Sequence, residues 1–267
     1  MCPITARGIE MWSPQRWDEI VGNTDLKTAL QQYVLNSPPN TLVTGAKRSC
    51  KTRSMLLCIQ SLVCHHPQED LNPCGKCEGC QAVRSPRGEH IELFRLGRYG
   101  FVHVDCNVVT AKELRELSMK WEFDGEKTII YLDEVADLGK DGRDKILMKP
   151  IDEWRCTWFA SATKVTKPKD KQGRPRRGEG LSGAVINRFA NLLTTTLPKP
   201  EQLDGWIRQR CLEWEIEIEQ EAATIRRLIE RSQCRVGHVK QPIVVAASAG
   251  RVLTLERVEN FNFRPLE

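Results

Sequence analysis

The sequence predicts an α/β fold, with a mainly parallel sheet flanked by helices and followed by a smaller helical domain. Three observations carry that prediction. The apolar run Thr41-Leu42-Val43-Thr44 feeds straight into Gly45-Ala46-Lys47-Arg48-Ser49-Cys50-Lys51-Thr52 and then into Met55-Leu56-Leu57-Cys58-Ile59, which spells strand, tight loop and helix. A second apolar and β-branched run, residues 127–132, ends on the carboxylates Asp133 and Glu134, the pattern of a buried parallel strand with acids at its carboxyl edge. Strand-like and helix-like segments alternate around these two runs, which favours parallel pairing through helical crossovers.

In chain order, residues 1–22 form a lead-in anchored by Trp12 and Trp17. A capped helix starts at Asn23, with Leu26, Ala29, Leu30, Tyr33 and Val34 at helical spacing. Ser37-Pro38-Pro39-Asn40 breaks it, and the first strand follows. The helix after Thr52 runs to Cys64, a cysteine-rich insertion sits on its end, and residues 81–90 return towards the core. Ile91–Leu96 and Phe101–Asp105 carry strand composition, and Ala111–Lys120 is an amphipathic helix through Leu114 and Leu117. The strand at 127–132 is central. Arg143–Ile151 reads as a helix and Cys156–Thr163 as a buried strand ending on Ser and Thr. A basic loop, Ala184–Phe189 and a short strand over Asn191–Leu197 follow. Pro198-Lys199-Pro200 marks a boundary between a nucleotide-binding domain, 1–198, and a small helical domain, 199–267. In the latter, Glu201–Glu213 and Gln220–Ser232 are helices, the second with Ala222, Ile225, Leu228 and Ile229 on its apolar face. Gly237–Ser248 is a third, kinked by Pro242.

The first loop has the chemistry of a phosphate cradle. Backbone N–H groups in a turn opening at Gly45 converge on an anion, Lys51 supplies positive charge for β- and γ-phosphates, and the Thr52 hydroxyl can ligate Mg²⁺. Cys50 stands where the pattern G-x-x-x-x-G-K-[ST] has its second glycine, and a Cβ there would weaken nucleotide binding or slow turnover. The competing reading is an ordinary strand-to-helix turn with a chance Lys-Thr pair. Asp133 would hold Mg²⁺ through water and Glu134 would polarise the water that attacks the γ-phosphate. A surface acid pair is the alternative, and the order and separation of the two motifs favour the nucleotide.

With 267 residues, 40% of them hydrophobic, the chain is long enough for one large α/β domain and a small companion. No apolar run reaches the roughly 20 residues that a bilayer requires, and no signal-type core follows Met1, so a cytoplasmic protein is expected. The net charge of +5 is mild but uneven. Residues 164–179 carry Lys164, Lys167, Lys169, Lys171, Arg174, Arg176 and Arg177 against Asp170 and Glu179, which reads either as a solvated loop or as a segment tracking nucleic-acid phosphates. Four of the 11 cysteines, Cys64, Cys74, Cys77 and Cys80, follow C-x9-C-x2-C-x2-C. Four thiolates at that spacing close a tetrahedral structural Zn²⁺ site, a redox-active C-x2-C being the rival reading; His65 and His66 read as exposed neighbours.

Taken together these motifs resemble the AAA+ P-loop NTPase module of bacterial DNA polymerase III clamp-loader subunits, gamma/tau and delta-prime. The likeness covers residues 10–258, and its most specific element is the four-cysteine knuckle placed after the phosphate-loop helix. Residues 13–23, Ser-Pro-Gln-Arg-Trp-Asp-Glu-Ile-Val-Gly-Asn, look like the family's leading motif R-P-x-x-F-D-E-V-V-G-Q. Asp105–Leu117 is similar to its D-A-A-S segment, and Leu147–Glu153 to its L-L-K-T-L-E-E.

The resemblance implies ATP as ligand, duplex or primer-template DNA and AAA+ neighbours as partners, and a cargo protein it does not name. It implies a sensor-1 role for Thr163, which would orient the attacking water or the γ-phosphate. Arg188 of Asn187-Arg188-Phe189 would be an arginine finger for a neighbouring subunit's nucleotide, and Lys240 of Gly237-His238-Val239-Lys240 would sit at the sensor-2 position of a helical lid. The chain departs from the family at Ser49 and Cys50, in the basic insertion, and in the helical collar the family carries next, so it is expected to assemble otherwise or not at all. Three readings follow: an ATP-driven oligomer on DNA, a non-hydrolysing delta-prime-like stator, and a module recruited by a mobile element or defence system.

Overall fold

The chain divides into two compact units, one of residues 25–45 and 54–194, the other of residues 1–24, 46–53 and 195–267. The structure, a computed structural model, describes residues 14–84, 91–96, 99–120, 128–165 and 180–263. Trp12, Ser13, residues 85–90, Lys127 and residues 166–179 of the basic insertion lie outside the described residues.

The larger unit contains, in order, α1 (Thr24–Leu35), β1 (Thr41–Thr44), α2 (Lys51–Leu62), α3 (Glu78–Arg84), β2 (Ile91–Leu96), β3 (Tyr99–Asp105) and α4 (Ala111–Lys120). It continues with β4 (Thr128–Asp133), α5 (Met148–Glu153), β5 (Cys156–Ala162), α6 (Gly183–Ile186) and β6 (Asn191–Thr194). The strands form one sheet in the order β2-β3-β4-β5-β1-β6. Five of them, β3 to β6 in that order, are mutually parallel, and β2 adds an antiparallel hairpin at one edge. The central strand is apolar on both faces because both are covered. Ile130 and Leu132 pair with Trp158 and Ala160 on one side while Tyr131 pairs with Phe159 on the other, and all six are fully buried. Truncating such a side chain, Leu132→Ala for instance, costs about 2–5 kcal/mol. The start of α4 is set by a capping box: Thr110 N and Oγ1 both donate to Glu113 Oε2, and Glu113 N donates back to Thr110 Oγ1 at 3.2 Å.

Two local expectations change. The helix expected over Arg143–Ile151 is a 3₁₀ turn, Arg143–Leu147, followed by the short α5. Pro150 explains the break, since it has no N–H and its ring would crowd the carbonyl four residues earlier; it is tolerated in the first turn of α5. The strand expected to reach Leu197 stops at Thr194, because β6 has only the four residues of β1 to pair with.

The smaller unit holds α7 (Pro200–Glu213), β7 (Glu217–Ile218), α8 (Glu221–Ser232), α9 (Val236–Ser248), β8 (Val252–Leu253) and α10 (Leu255–Asn260), together with residues 46–53, the loop and the first residues of α2, and the residues around Trp17. Its core gathers Leu203, Ile207, Ile225, Leu228, Val239, Ile243 and Val258, with Cys50 packed against it. On α8, Ile225, Leu228 and Ile229 are buried as expected, but Ala222 is exposed and Thr224 takes an inward position, its hydroxyl satisfied by Glu219 O at 2.6 Å. The parallel pair β7–β8 and the helix α10, capped by Thr254 Oγ1 accepting from Arg257 N at 3.0 Å, had no counterpart in the sequence reading.

Candidate functional site

Because β1, β4 and β5 run parallel, their carboxyl ends share one edge of the sheet, where Asp133 ends β4 and Gly45, Glu134 and Thr163 follow the last strand residues. Gly45 N donates to Ala162 O at 3.3 Å, and Gly45 has φ 145°. In a strand, residues two apart face the same way, so Tyr131 aligns with Asp133 and Ser161 with Thr163. Ser161 Oγ donates to Asp133 Oδ1 at 2.6 Å, and the Tyr131 hydroxyl lies 2.9 Å from that oxygen and 3.1 Å from Ser161 Oγ.

Glu134 leaves the strand in a left-handed conformation, φ 49° and ψ 48°, which costs a non-glycine residue about 1–2 kcal/mol. That bend places Glu134 N 3.2 Å from Ser161 Oγ and turns the carboxylate onto Thr163. Thr163 N donates to Oε2 at 3.1 Å, and Thr163 Oγ1 lies 3.0 and 3.1 Å from the two carboxylate oxygens. Asp105, on β3, is in register with Asp133. Burial, reinforced by Asp133 and Asp105, pushes the Cys106 thiol far above its ordinary range, so it stays neutral beneath these acids.

In the loop, Arg48 and Cys50 both have positive φ, 65° and 70°. Cys50 therefore adopts the conformation that glycine takes without a Cβ penalty. Its thiol is pushed up to about 11 by burial, against the opposing pull of Lys240, Arg53 and Lys51. Lys240, half-buried on α9, is lowered to about 8 by burial and then by Arg53, with Cys50 acting the other way. Lys51 is only 4% exposed, and its ammonium donates to Ala46 O at 3.0 Å. Thr52 is the next residue of α2.

The loop is also tied from outside itself. Ser49 Oγ bonds Ala46 O at 2.7 Å and Thr195 Oγ1 at 2.5 Å. Asn23 bridges Ser49 O and Thr196 N, at 3.4 and 2.8 Å. Arg235 donates to Lys47 O at 2.8 Å, and Gly237 N to Arg48 O at 3.4 Å. A Cβ at position 237 would stand 2.9 Å from Arg48 Cβ, so only glycine lets α9 approach the loop this closely.

Arg188 folds onto its own unit. Its guanidinium pairs with Asp152 Oδ2 at 2.7 Å and 3.0 Å and donates to Met148 O at 3.2 Å and Ala184 O at 2.5 Å.

The sulfurs of Cys64, Cys74, Cys77 and Cys80 all lie within 4.8 Å of one another. A tetrahedral zinc site with Zn–S near 2.3 Å requires S···S separations of about 3.8 Å, so the four could hold that ion, and the convergence of all four exceeds what a C-x2-C redox pair needs. Backbone N–H groups of His65, Cys74 and Cys77 donate to sulfurs of the cluster at 3.3–3.4 Å. N–H donors favour thiolates, and those of Lys76 and Cys77 bring the Cys74 thiol down to about 6, whereas burial raises Cys80. Gly79 threads between these turns, where an added Cβ would meet Val63 O at 2.4 Å.

The sequence reading did not single out Tyr131, Ser161 or Arg235. For the first two the only signal was a hydroxyl two residues before Asp133 and two before Thr163. Nothing local marked Arg235.

No protein-family profile matches the chain, and no curated protein matches it by sequence. Solved structures do. The Holliday junction branch migration motor RuvB of Thermotoga maritima aligns with TM-score 0.54 at 12% identity, covering 93% of this chain and 71% of that one. Two single-substitution variants of the same protein align with TM-score 0.55 at 14% and 13% identity, over the same shares. The chain thus shares the fold of RuvB, a parallel sheet flanked by helices, and its four-cysteine cluster could form a zinc knuckle.

Proposed function

We propose that the chain is a clamp-loader-like AAA+ ATPase that oligomerises on DNA and uses ATP binding and hydrolysis to load or regulate a partner protein in replication or recombination. The observation that carries this reading is Glu134. A strained backbone aims its carboxylate, and both oxygens are held by Thr163 at the edge of the sheet where β1 delivers Gly45. A surface acid pair would have no use for that arrangement.

Lys51 would exchange Ala46 O for the β- and γ-phosphates of ATP, and Lys240 would add positive charge from the lid. Mg²⁺, with Thr52 as ligand and Asp133 acting through water, would neutralise the phosphate oxygens. Glu134 would polarise the attacking water, and Thr163 would keep the carboxylate aimed. Arg188 would give up Asp152 for a neighbour's nucleotide, which makes turnover depend on assembly. Cys64, Cys74, Cys77 and Cys80 would hold a structural zinc ion, giving one zinc per chain by metal analysis and less in Cys77→Ser. The basic stretch at 164–179 would follow DNA phosphates, and the likeness to a branch migration motor supports DNA as the partner. No helix among the described residues is long and apolar enough to cross a membrane; a cytoplasmic setting suits a DNA partner. Recruitment of the same machinery by a mobile element or defence system leaves these roles unchanged.

A second reading is a non-hydrolysing, delta-prime-like stator, favoured by Cys50 at φ 70° and by Lys51 resting on a loop carbonyl. Steady-state ATP hydrolysis with and without duplex DNA separates the two. The motor reading expects DNA-stimulated turnover, lost in Glu134→Gln and in Arg188→Ala while ATP binding persists. ATP binding with no turnover under any of these conditions would support the stator.

A further inference from the structure

Tyr131 and Ser161 are both fully buried, in strands whose neighbouring positions are Ile130, Leu132, Ala160 and Ala162. An apolar side chain would suit either position better, since a buried hydroxyl costs free energy unless it is hydrogen-bonded. Both hydroxyls are spent on the same atom, Asp133 Oδ1, at 2.9 and 2.6 Å. Ser161 Oγ also receives Glu134 N at 3.2 Å, so a single hydroxyl registers the side chain of one acid against the backbone of the next. A carboxylate gripped through one oxygen by two donors from different strands has its plane fixed, and with it the direction of its other oxygen.

We propose that Tyr131 and Ser161 are positioning residues that orient the Asp133 carboxylate toward the magnesium ion of the bound nucleotide. The proposal rests on the nucleotide reading above and goes beyond it: it assigns metal affinity to two side chains that touch neither nucleotide nor metal. Partners of this kind typically change metal affinity about 10–100-fold when removed. Thr163, just past the end of β5, serves Glu134 instead, so the Ser161 and Thr163 hydroxyls divide the work between metal and water.

The test is a magnesium titration of nucleotide binding, followed with a fluorescent ATP analogue, for wild type, Tyr131→Phe, Ser161→Ala and Ser161→Thr. Tyr131→Phe keeps the ring and its packing, so it reports on the hydroxyl alone. The expected result for Tyr131→Phe and Ser161→Ala is unchanged affinity without metal and a magnesium requirement raised about tenfold. Ser161→Thr, which returns a hydroxyl, should restore the wild-type requirement. The same magnesium dependence in Tyr131→Phe, Ser161→Ala and wild type, with melting unchanged, overturns the proposal. So does an equal loss of affinity with and without metal, the mark of a purely structural role. A wild-type protein that fails to bind the analogue at any magnesium concentration overturns the nucleotide reading itself, and is recognisable because no variant is needed to see it.

Discussion

At the carboxyl edge of the sheet, the hydroxyls of Tyr131, Ser161 and Thr163 and the Thr163 backbone hold Asp133 and Glu134, and the one strained residue there, Glu134, carries a carboxylate aimed by its bend. In the loop after β1 the strained residues are Arg48 and Cys50, side chains in places that favour none, while the Lys51 ammonium rests on Ala46 O. The edge is built by local strand periodicity. The loop is built by long-range ties, from Asn23, Thr195, Arg235 and Gly237. On the proposed reading, strain at the edge serves chemistry, whereas strain in the loop is tolerated because neighbouring segments hold the loop in shape.

The sharpest break of this contrast is Glu134→Gln, which keeps shape and loses the carboxylate proposed to polarise the attacking water. Turnover should fall by about a hundredfold or more while ATP affinity and melting stay near wild type, read by steady-state kinetics and equilibrium binding. Loss of ATP binding along with turnover would assign the edge to binding rather than to chemistry.

Next in size is Gly237→Ala. The new Cβ would press on Arg48, so the chain should lose about 1–3 kcal/mol in denaturant unfolding and bind ATP more weakly. An unchanged midpoint would show that the loop does not depend on α9.

Cys50→Gly should act in the opposite direction, relieving a left-handed non-glycine residue and raising stability by about 1 kcal/mol, with tighter ATP binding. Cys50→Ala keeps a Cβ and should bring no such gain. Equal behaviour of the two variants would mean that the positive φ carries no cost here.

The smallest effect is one of pH. Lys240 titrates near 8, below its ordinary 10.5, so its charge is lost as pH rises from 7 to 9, and ATP affinity should weaken across that window. Because the folded state holds this proton less tightly than the unfolded one, the same group makes stability rise, not fall, from pH 8 to 10.5. Lys240→Met should flatten the binding profile. The Cys50 thiol, pushed up to about 11, stays protonated from pH 7 to 9 and leaves the binding profile to Lys240.

The α/β class was legible because runs such as Thr41–Thr44 and Thr128–Leu132 are apolar on both faces, a composition only a covered parallel sheet requires. The cysteine cluster was legible because its ligands are close in sequence. Less legible was anything set by partners far along the chain. The ties from Arg235 and Gly237 to the loop span nearly 190 residues, and the pair of Tyr131 and Ser161 is formed by strand register, which no local pattern encodes. Pro150 was visible, yet its effect on the segment from Arg143 depended on where the helix would begin. The pair β7–β8 is two residues long, too short for a period to show.

Titration calorimetry of the wild-type protein with ATP and magnesium, repeated on Lys51→Ala, tests the central claim most directly. The account predicts saturable uptake of one nucleotide per chain by the wild type and its loss in the variant. No detectable uptake by the wild type, or uptake indifferent to Lys51, would contradict it.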